Sequence, residues 1–320
     1  MPDPKDSDII LRVEHLTKKF PMAKGRTLVA CDDVSLLAKK GETVAIVGES
    51  GCGKTTLLKT IMNMQPPTSG RILLHETDIT KLTGEAKRKN CRHIQMVFQD
   101  PTLAFNPKMR VRDIVCEPLL NFGIIKRKEL EEKAQQLLAQ VDLPADFADR
   151  YPHNMSGGQR QRVAIARALA LEPEIIACDE ATSALDVSVQ DTIIRLLVKL
   201  QKERGVTYLF ICHDLALVSM FSHRIAVMYL GSIVEKLDGN RLEAAHHPYT
   251  KALLKAVFSI DQEKNQKISI LAGDIPSPLD IPSGCPFRNR CEYSREMCIA
   301  KKPTLREIAP NHSIACHYPL

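Results

Sequence analysis

Eight consecutive residues of this chain match a pattern that binds phosphate. Gly48-Glu49-Ser50-Gly51-Cys52-Gly53-Lys54-Thr55 fits G-x-x-x-x-G-K-[ST]. In such a loop the glycines let backbone N–H groups surround phosphate oxygens, and the N-terminus of the following helix adds positive potential. The lysine reaches the β- and γ-phosphates, and the hydroxyl residue ligates Mg²⁺. The pattern therefore predicts nucleoside triphosphate binding, with Lys54 on the phosphates and Thr55 on the metal.

A pair of carboxylates, Asp179 and Glu180, follows the apolar run 175–178. Asp179 is predicted to hold Mg²⁺ through water. Glu180 is predicted to be a base that polarises the attacking water, a role that typically contributes about 10²–10⁴ in rate. An acidic pair at the end of a strand is often only a helix cap. The phosphate loop elsewhere in the chain favours the catalytic interpretation.

A second segment, Met155-Ser156-Gly157-Gly158-Gln159, indicates another anion site. Ser156 can cap the helix that follows, and the exposed N–H groups of such a helix end attract negative charge. A capped helix alone does not explain Gly157 and Gly158, because glycine weakens a helix. One ATP needs one phosphate cradle, so the second one suggests a site that another chain completes.

The elements around these residues alternate between strands and helices. Thr43–Val47 is a short β-branched apolar run before the phosphate loop, and a helical pattern starts at Thr55. Two further buried strands are predicted at 174–178 and 206–211. From about residue 100 to 170 the pattern is helical. This order favours an α/β fold with a mostly parallel, covered sheet and a helical insertion.

The composition is that of an ordinary globular protein, with 44% apolar and 26% charged residues. The net charge of +6, from 44 Lys and Arg against 38 Asp and Glu, selects no partner class. No run is long and apolar enough for a transmembrane helix, which needs about 20 residues. The start, Met1–Asp8, is polar and acidic, so we expect no secretory signal and a cytosolic chain.

Four of the ten cysteines, Cys285, Cys291, Cys298 and Cys316, lie close to the C-terminus. In a cytosolic chain, cysteines favour thiols or metal ligands over disulfides. Four thiolates suffice for a [4Fe–4S] cluster or a tetrahedral Zn²⁺. Their spacing lacks the C-x₂-C pairs typical of structural zinc. A cluster, zinc or no metal all remain possible interpretations of the spacing.

Together these motifs resemble the ATP-binding subunits of ABC transporters, over about residues 8–258. The resemblance implies an α/β P-loop nucleotide-binding domain of the ABC type, with a mostly parallel sheet, a flanking antiparallel β part and a helical subdomain at about 100–170. We predict this ABC domain at 1–258. A small cysteine-bearing extension is predicted at 259–320.

The resemblance also gives each motif a role. Gly48–Thr55 corresponds to Walker A, Met155–Gln159 to the signature, Ile175–Glu180 to Walker B and Ser183–Asp186 to the D-loop. Gln99 matches the Q-loop, His213 the switch histidine, and Phe20 the aromatic ring under adenine. The residues thus expected at ATP are Phe20, Gly48, Ser50, Gly51, Cys52, Gly53, Lys54, Thr55, Thr56, Gln99, Ser156, Gly158, Gln159, Asp179 and Asp186. Thr55, Gln99 and Asp179 are expected at Mg²⁺, and Glu180, His213, Gln99 and Lys54 in catalysis.

This family pairs its ATP-binding domains head to tail, with two ATP molecules between Walker A of one subunit and the signature of the other. Two residues depart from the family pattern. Met155 replaces the usual Leu, an apolar exchange that should leave the phosphate contacts intact. Ala181 stands where many members have Pro. Lys54, Ser156, Glu180 and His213 are all present, so an active ATPase is expected.

Three segments are similar to the dipeptide/oligopeptide permease ATPases: 151–153, 183–190 and 247–254. The similarity implies ATP-driven peptide import, with two transmembrane permeases, a second ATP-binding subunit and an extracytoplasmic substrate-binding protein. It places the chain peripherally at the cytoplasmic face of the bacterial inner membrane and implies no nucleic-acid partner. Some members of this subfamily resemble this sequence closely in the extension and carry an iron–sulfur cluster there, which favours [4Fe–4S] at the four cysteines.

Peptide import has three alternatives. Within the same class, the cargo could be nickel or another small solute. A soluble ABC ATPase acting on nucleic acid or ribosomes usually needs a long coiled-coil insertion or a second cassette, and this chain has neither. The third alternative is an iron–sulfur redox or sensor protein that uses nucleotide only as a ligand.

Overall fold

The computed structural model describes residues 8–258 and 276–320. The strands are β1 (Ile9–Pro21), β2 (Thr27–Lys39), β3 (Thr43–Val47), β4 (Ser69–Leu74), β5 (Thr77–Asp78), β6 (Ile94–Val97), β7 (Ile175–Asp179), β8 (Thr207–Cys212), β9 (Arg224–Tyr229), β10 (Ser232–Asp238), β11 (Arg306–Ala309) and β12 (His312–Ile314). The helices are α1 (Lys54–Ile61), α2 (Gly84–Asn90), α3 (Val111–Asn121), α4 (Leu130–Gln140), α5 (Gly157–Leu169), α6 (Val187–Arg204), α7 (Leu215–Ser219), α8 (Pro248–Phe258) and α9 (Glu296–Ala300).

These elements form two compact units. The first unit contains the described residues of 8–81 and 211–320, and the second contains 82–210. The predicted domain boundary at residues 258 and 259 lies where the described part of the chain stops, so it stays a prediction. The acidic start, Met1–Ser7, also lies outside the described residues.

An antiparallel sheet of the first unit has the strand order β2-β1-β4-β5. Alternate residues of β2, among them Val34, Leu36 and Ala38, are buried, while their neighbours are more exposed. This alternation is typical of a sheet with one face on the core and one face toward water. It is the flanking antiparallel β part that the family resemblance implies.

The other sheet strands of the first unit follow the order β11-β12-β10-β9-β3. All five residues of β3 are buried, and β3 pairs in parallel with β9. Full burial explains why this strand is a continuous apolar run rather than an alternating one. Beyond β9 the pairing is antiparallel, and β12 of the cysteine-bearing extension pairs with β10. The sequence did not predict that the extension adds strands here.

The second unit contains β6, β7 and residues 207–210 of β8, in the order β8-β7-β6, with β6 and β7 parallel. No strand lies between Val97 and Ile175, a stretch whose backbone is described throughout. Helices α3, α4 and α5 contact one another there, which agrees with the predicted helical character of about 100–170. The fold class is therefore confirmed. Over the described ranges, no helix is both long and apolar enough to cross a membrane.

Candidate ATP site and cysteine cavity

The phosphate-binding loop joins β3 to α1 in the first unit. Gly53 has φ +108°, and a Cβ atom added there would lie 2.0 Å from the carbonyl oxygen of Ala30. A Cβ atom at Gly48 would lie 2.2 Å from the carbonyl oxygen of Met228. Both distances are far below a normal contact, so the backbone of the loop can approach its neighbouring strands only through glycine.

Lys54 is folded back over this loop. Its side-chain Nζ donates hydrogen bonds to the carbonyl oxygens of Gly48 at 2.8 Å and Glu49 at 3.0 Å. The residue is only 4% exposed. Both acceptors are neutral, so an arriving phosphate oxygen would make a stronger, charge-assisted bond to the same ammonium group. The loop thus has the shape and the charge that a triphosphate requires.

Other predicted ATP residues of the first unit lie around its strand ends. Cys52 is buried in the loop, and burial raises the pKa of its thiol, so it is neutral near pH 7. Phe20 lies near the end of β1 with Lys18 Nζ at 4.8 Å from its ring centre. His213 follows β8 and is exposed. Asp214, next to it, accepts hydrogen bonds from the first turn of α7.

The predicted catalytic carboxylates lie at the end of β7 in the second unit. Asp179 is 7% exposed. Glu180 has φ +47°, a left-handed conformation that costs a non-glycine residue about 1–2 kcal/mol. Gln99 Nε2 donates a hydrogen bond of 3.0 Å to Glu180 Oε2, and Ser183 Oγ donates one of 3.0 Å to the Glu180 carbonyl. The structure therefore brings together two residues predicted to be catalytic, Gln99 and Glu180.

Ser156 caps α5 as predicted. Its Oγ accepts a hydrogen bond from Gln159 N at 3.3 Å, and its own N–H donates to Gln159 Oε1 at 2.9 Å. A Cβ atom at Gly158 would lie 2.6 Å from Cγ1 of Val189, which belongs to α6. Packing against Val189 is therefore one reason for glycine at this position, and the approach of a partner chain to the glycine pair stays a prediction.

Two family models match this chain. Residues 31–183 match the family described as ABC transporter. Residues 238–298 match the one described as oligopeptide/dipeptide transporter, C-terminal region. A probable peptide ABC transporter ATP-binding protein of Sinorhizobium fredii is 46% identical, over 97% of this chain and 90% of the relative. The oligopeptide transport ATP-binding protein AppF of Bacillus subtilis is 45% identical, over 98% of both.

The chain belongs to the dipeptide/oligopeptide subfamily of ABC transporter ATP-binding subunits. As a member of this family it is an ATPase. An ATP-binding cassette dimer solved in a post-hydrolysis state with ADP and phosphate matches with a TM-score of 0.65 and 33% identity, covering 72% of this chain and 98% of that one. The protein cbiO1 of Clostridium perfringens, part of the ABC transporter complex cbiONQ, matches with a TM-score of 0.66 and 30% identity, covering 74% of this chain and 91% of that one.

The cysteine-bearing extension of this ABC subunit gathers its four cysteines around one small cavity. Cys285, Cys291, Cys298 and Cys316 all line it. Burial, and after it the neighbouring thiols, raises the pKa of Cys285 to about 11. Within the described ranges, no group of three or more His, Cys, Asp or Glu side chains is placed to hold a single metal ion. All four cysteines are free thiols in the structure.

Sequence reasoning missed three residues that hold the phosphate-binding loop in place. The backbone N–H of Glu49 donates to Tyr249 Oη at 3.0 Å, and the Glu49 carboxylate pairs with Arg290. Tyr249 lies in a segment that was used only to assign the subfamily. Glu49 occupies an unspecified position of the phosphate-loop pattern, and nothing local in the sequence points to Arg290.

Proposed function

We propose that this chain is the ATP-hydrolysing subunit of a bacterial importer of dipeptides or oligopeptides. The observation that carries the proposal is the 45% identity to an oligopeptide transport ATP-binding protein over 98% of both chains. The agreement extends through the C-terminal extension, where the matching family is also an oligopeptide/dipeptide transporter region. Nickel or another small solute as cargo has no comparable support.

The chemistry follows from the residues of the two units. Lys54 would bind the β- and γ-phosphates, and Thr55, Gln99 and Asp179 would hold Mg²⁺. Glu180 polarises the attacking water. Its carboxylate already accepts a hydrogen bond from Gln99, which orients it.

His213 and the residues of the signature complete the proposed cycle. ATP closes a head-to-tail pair of ATPase subunits, with Ser156 and Gly158 of one subunit on the phosphates bound by the other. Closure drives the permeases, and hydrolysis through Glu180 with His213 reopens the pair. Phe20 stacks under adenine, and Asp186 lies in the D-loop at the dimer contact.

The partners follow from the proposed transport. We infer that two transmembrane permeases supply the pathway, that a second, paralogous ATP-binding subunit completes the ATPase pair, and that an extracytoplasmic binding protein delivers the cargo. The chain then works at the cytoplasmic face of the inner membrane as a peripheral subunit, without nucleic acid.

A pull-down tests these partners. The tagged Glu180→Gln variant, incubated with ATP, is recovered from native membranes, and bound proteins are identified by mass spectrometry. We expect two multi-span permeases and a second ATPase, and the associated binding protein should bind peptides when purified. Recovery of ribosomes or nucleic acid contradicts import, and a binding protein that takes nickel but no peptide contradicts the cargo. The same sample without ATP is the control.

We also propose that Cys285, Cys291, Cys298 and Cys316 hold a [4Fe–4S] cluster. Their arrangement around one cavity supports this proposal. A single Zn²⁺ with Zn–S bonds of about 2.3 Å needs four sulfurs within roughly 3.8 Å of one another. A four-iron cluster is larger than a single ion and takes one thiolate on each iron, so it accepts four cysteines that are spread around one cavity.

Anaerobic purification tests the cluster. The protein should show broad absorbance near about 400 nm and contain about four irons per chain. Cys298→Ser should lose most of both signals, because Cys298 lines the cavity. Cys91→Ser is the matched control, since Cys91 is exposed in the second unit and should leave iron content unchanged. Colourless, iron-free protein with four free thiols would contradict the proposal.

A further inference from the structure

A short turn of the cysteine-bearing extension contacts the phosphate-binding loop. Arg290, which ends the turn Arg288–Arg290, donates from Nη1 and Nη2 to the two carboxylate oxygens of Glu49, at 2.7 and 2.9 Å. The side chains are 4% and 20% exposed, respectively. A two-pronged arginine–carboxylate pair that is largely shielded from water is strong and fixes geometry. The extension is therefore joined to the phosphate-binding loop by an ion pair at Glu49.

Glu49 is held at two further points. Its N–H donates to Tyr249 Oη at 3.0 Å, and its carbonyl oxygen accepts from Lys54 Nζ at 3.0 Å. The ring of Tyr249 packs against Phe287 of the extension, with ring centres 5.3 Å apart. Phe287 lines the cysteine cavity. A chain of direct contacts thus runs from that cavity to the backbone that surrounds the phosphates.

The charge of Glu49 makes its ion pair with Arg290 important for ATP binding. A carboxylate on a phosphate-binding loop repels a triphosphate, and the repulsion is largest where water is excluded. Arg290 neutralises that carboxylate and, by pairing with both oxygens, fixes its position. Loss of Arg290 would leave a half-buried negative charge on the loop, while Lys54 would keep its contact with the Glu49 carbonyl.

We propose that Arg290 is a positioning residue for ATP: by holding Glu49, the cysteine-bearing extension sets the affinity of the phosphate-binding loop for the phosphates. This role rests on the proposed ATP binding alone and does not depend on the peptide cargo or on the identity of any group at the cysteines. Arg290 acts through Glu49 and needs no contact with the nucleotide.

Nucleotide binding by the full-length chain tests the proposal. Arg290→Gln should weaken Mg–ATP binding by about 5- to 20-fold and raise KM by a similar factor, with kcat within about twofold, which is an ordinary size for coupling between sites. Binding of adenosine, which has no phosphate, should not change. Arg290→Lys keeps the charge without the two-pronged geometry. Its affinity for Mg–ATP should lie between those of the unmodified chain and Arg290→Gln.

A double substitution separates charge from simple damage. Glu49→Gln with Arg290→Gln removes both charges and should bind Mg–ATP within about threefold of the unmodified chain, so the single effects do not add. The matched control is Arg288→Gln. Arg288 lies in the same turn, but its guanidinium bonds Ser283 and Ile299 within the extension. This variant should bind ATP normally.

Melting temperature and iron content are measured for every variant. The proposal is wrong if Arg290→Gln binds Mg–ATP like the unmodified chain, if Arg288→Gln shows the same loss, or if adenosine binding falls as much as ATP binding. Should Arg290→Gln fail to fold, Arg290→Lys decides the question, because it keeps the charge of the pair but loses its two-pronged geometry: Mg–ATP binding equal to that of the unmodified chain would then contradict the proposal. None of these results depends on the permeases, so they do not bear on peptide import.

Discussion

Replacing Glu180 by Gln is expected to lower ATP hydrolysis by about 10²–10⁴-fold while ATP still binds. The amide has the same size as the carboxylate and still accepts the hydrogen bond that Gln99 donates to Oε2. It cannot take a proton from water, so only the chemical step is lost. Steady-state phosphate release measures the rate, and equilibrium binding of Mg–ATP measures the affinity.

Glu172→Gln is the matched control for this prediction. Glu172 is exposed, belongs to the same unit, and has a left-handed backbone with φ +52°, close to the +47° of Glu180. It should hydrolyse ATP at the unmodified rate. A Glu180→Gln variant with near-normal steady-state hydrolysis would show that another group activates the water.

Gly53→Ala is expected to lower the free energy of unfolding by about 3 kcal/mol or more, through a combination of backbone strain and overpacking. The added Cβ would lie 2.0 Å from the Ala30 carbonyl oxygen, and φ +108° is unfavourable for alanine. Backbone cannot move away as a flexible side chain could. Chemical denaturation without nucleotide measures the change, because it separates folding from the loss of phosphate contacts.

The control for Gly53 is Gly25→Ala. Gly25 also has a positive φ, +71°, but nothing lies within 4 Å of a Cβ atom placed there. Its substitution should cost only the strain of a left-handed alanine, about 1–2 kcal/mol. Equal losses at the two positions would mean that the contact with β2 contributes nothing.

The parts of the fold that could be predicted from the sequence are those with local causes. Thr43–Val47 was predicted as a strand because five buried residues in parallel pairing must be apolar, and β3 has those bounds. The phosphate-binding loop was recognisable because its glycines and Lys54 are consecutive. Strand β11 was missed, since all four of its residues are exposed and carry no apolar pattern.

In the candidate site, too, the contacts between residues far apart in the sequence could not be predicted from local patterns. The pairing of Gln99 with Glu180 joins residues 81 positions apart, and only the family resemblance pointed to Gln99. Arg290 and Glu49 are 241 positions apart. Neither stands out alone, because an arginine in a short turn and a glutamate in a loop are ordinary surface residues until the fold pairs them.

Strand β12 of the cysteine-bearing extension covers the edge of β10. It pairs with β10 at Glu235 and Ile314, and the fully buried Glu235 accepts hydrogen bonds from His246 and His312. A chain cut before β11 would leave β10 as an open sheet edge with a carboxylate that has lost His312. Open edges pair with other molecules and aggregate. Deleting the extension would therefore give an insoluble or self-associating protein, and its influence on ATP is better read from single side chains.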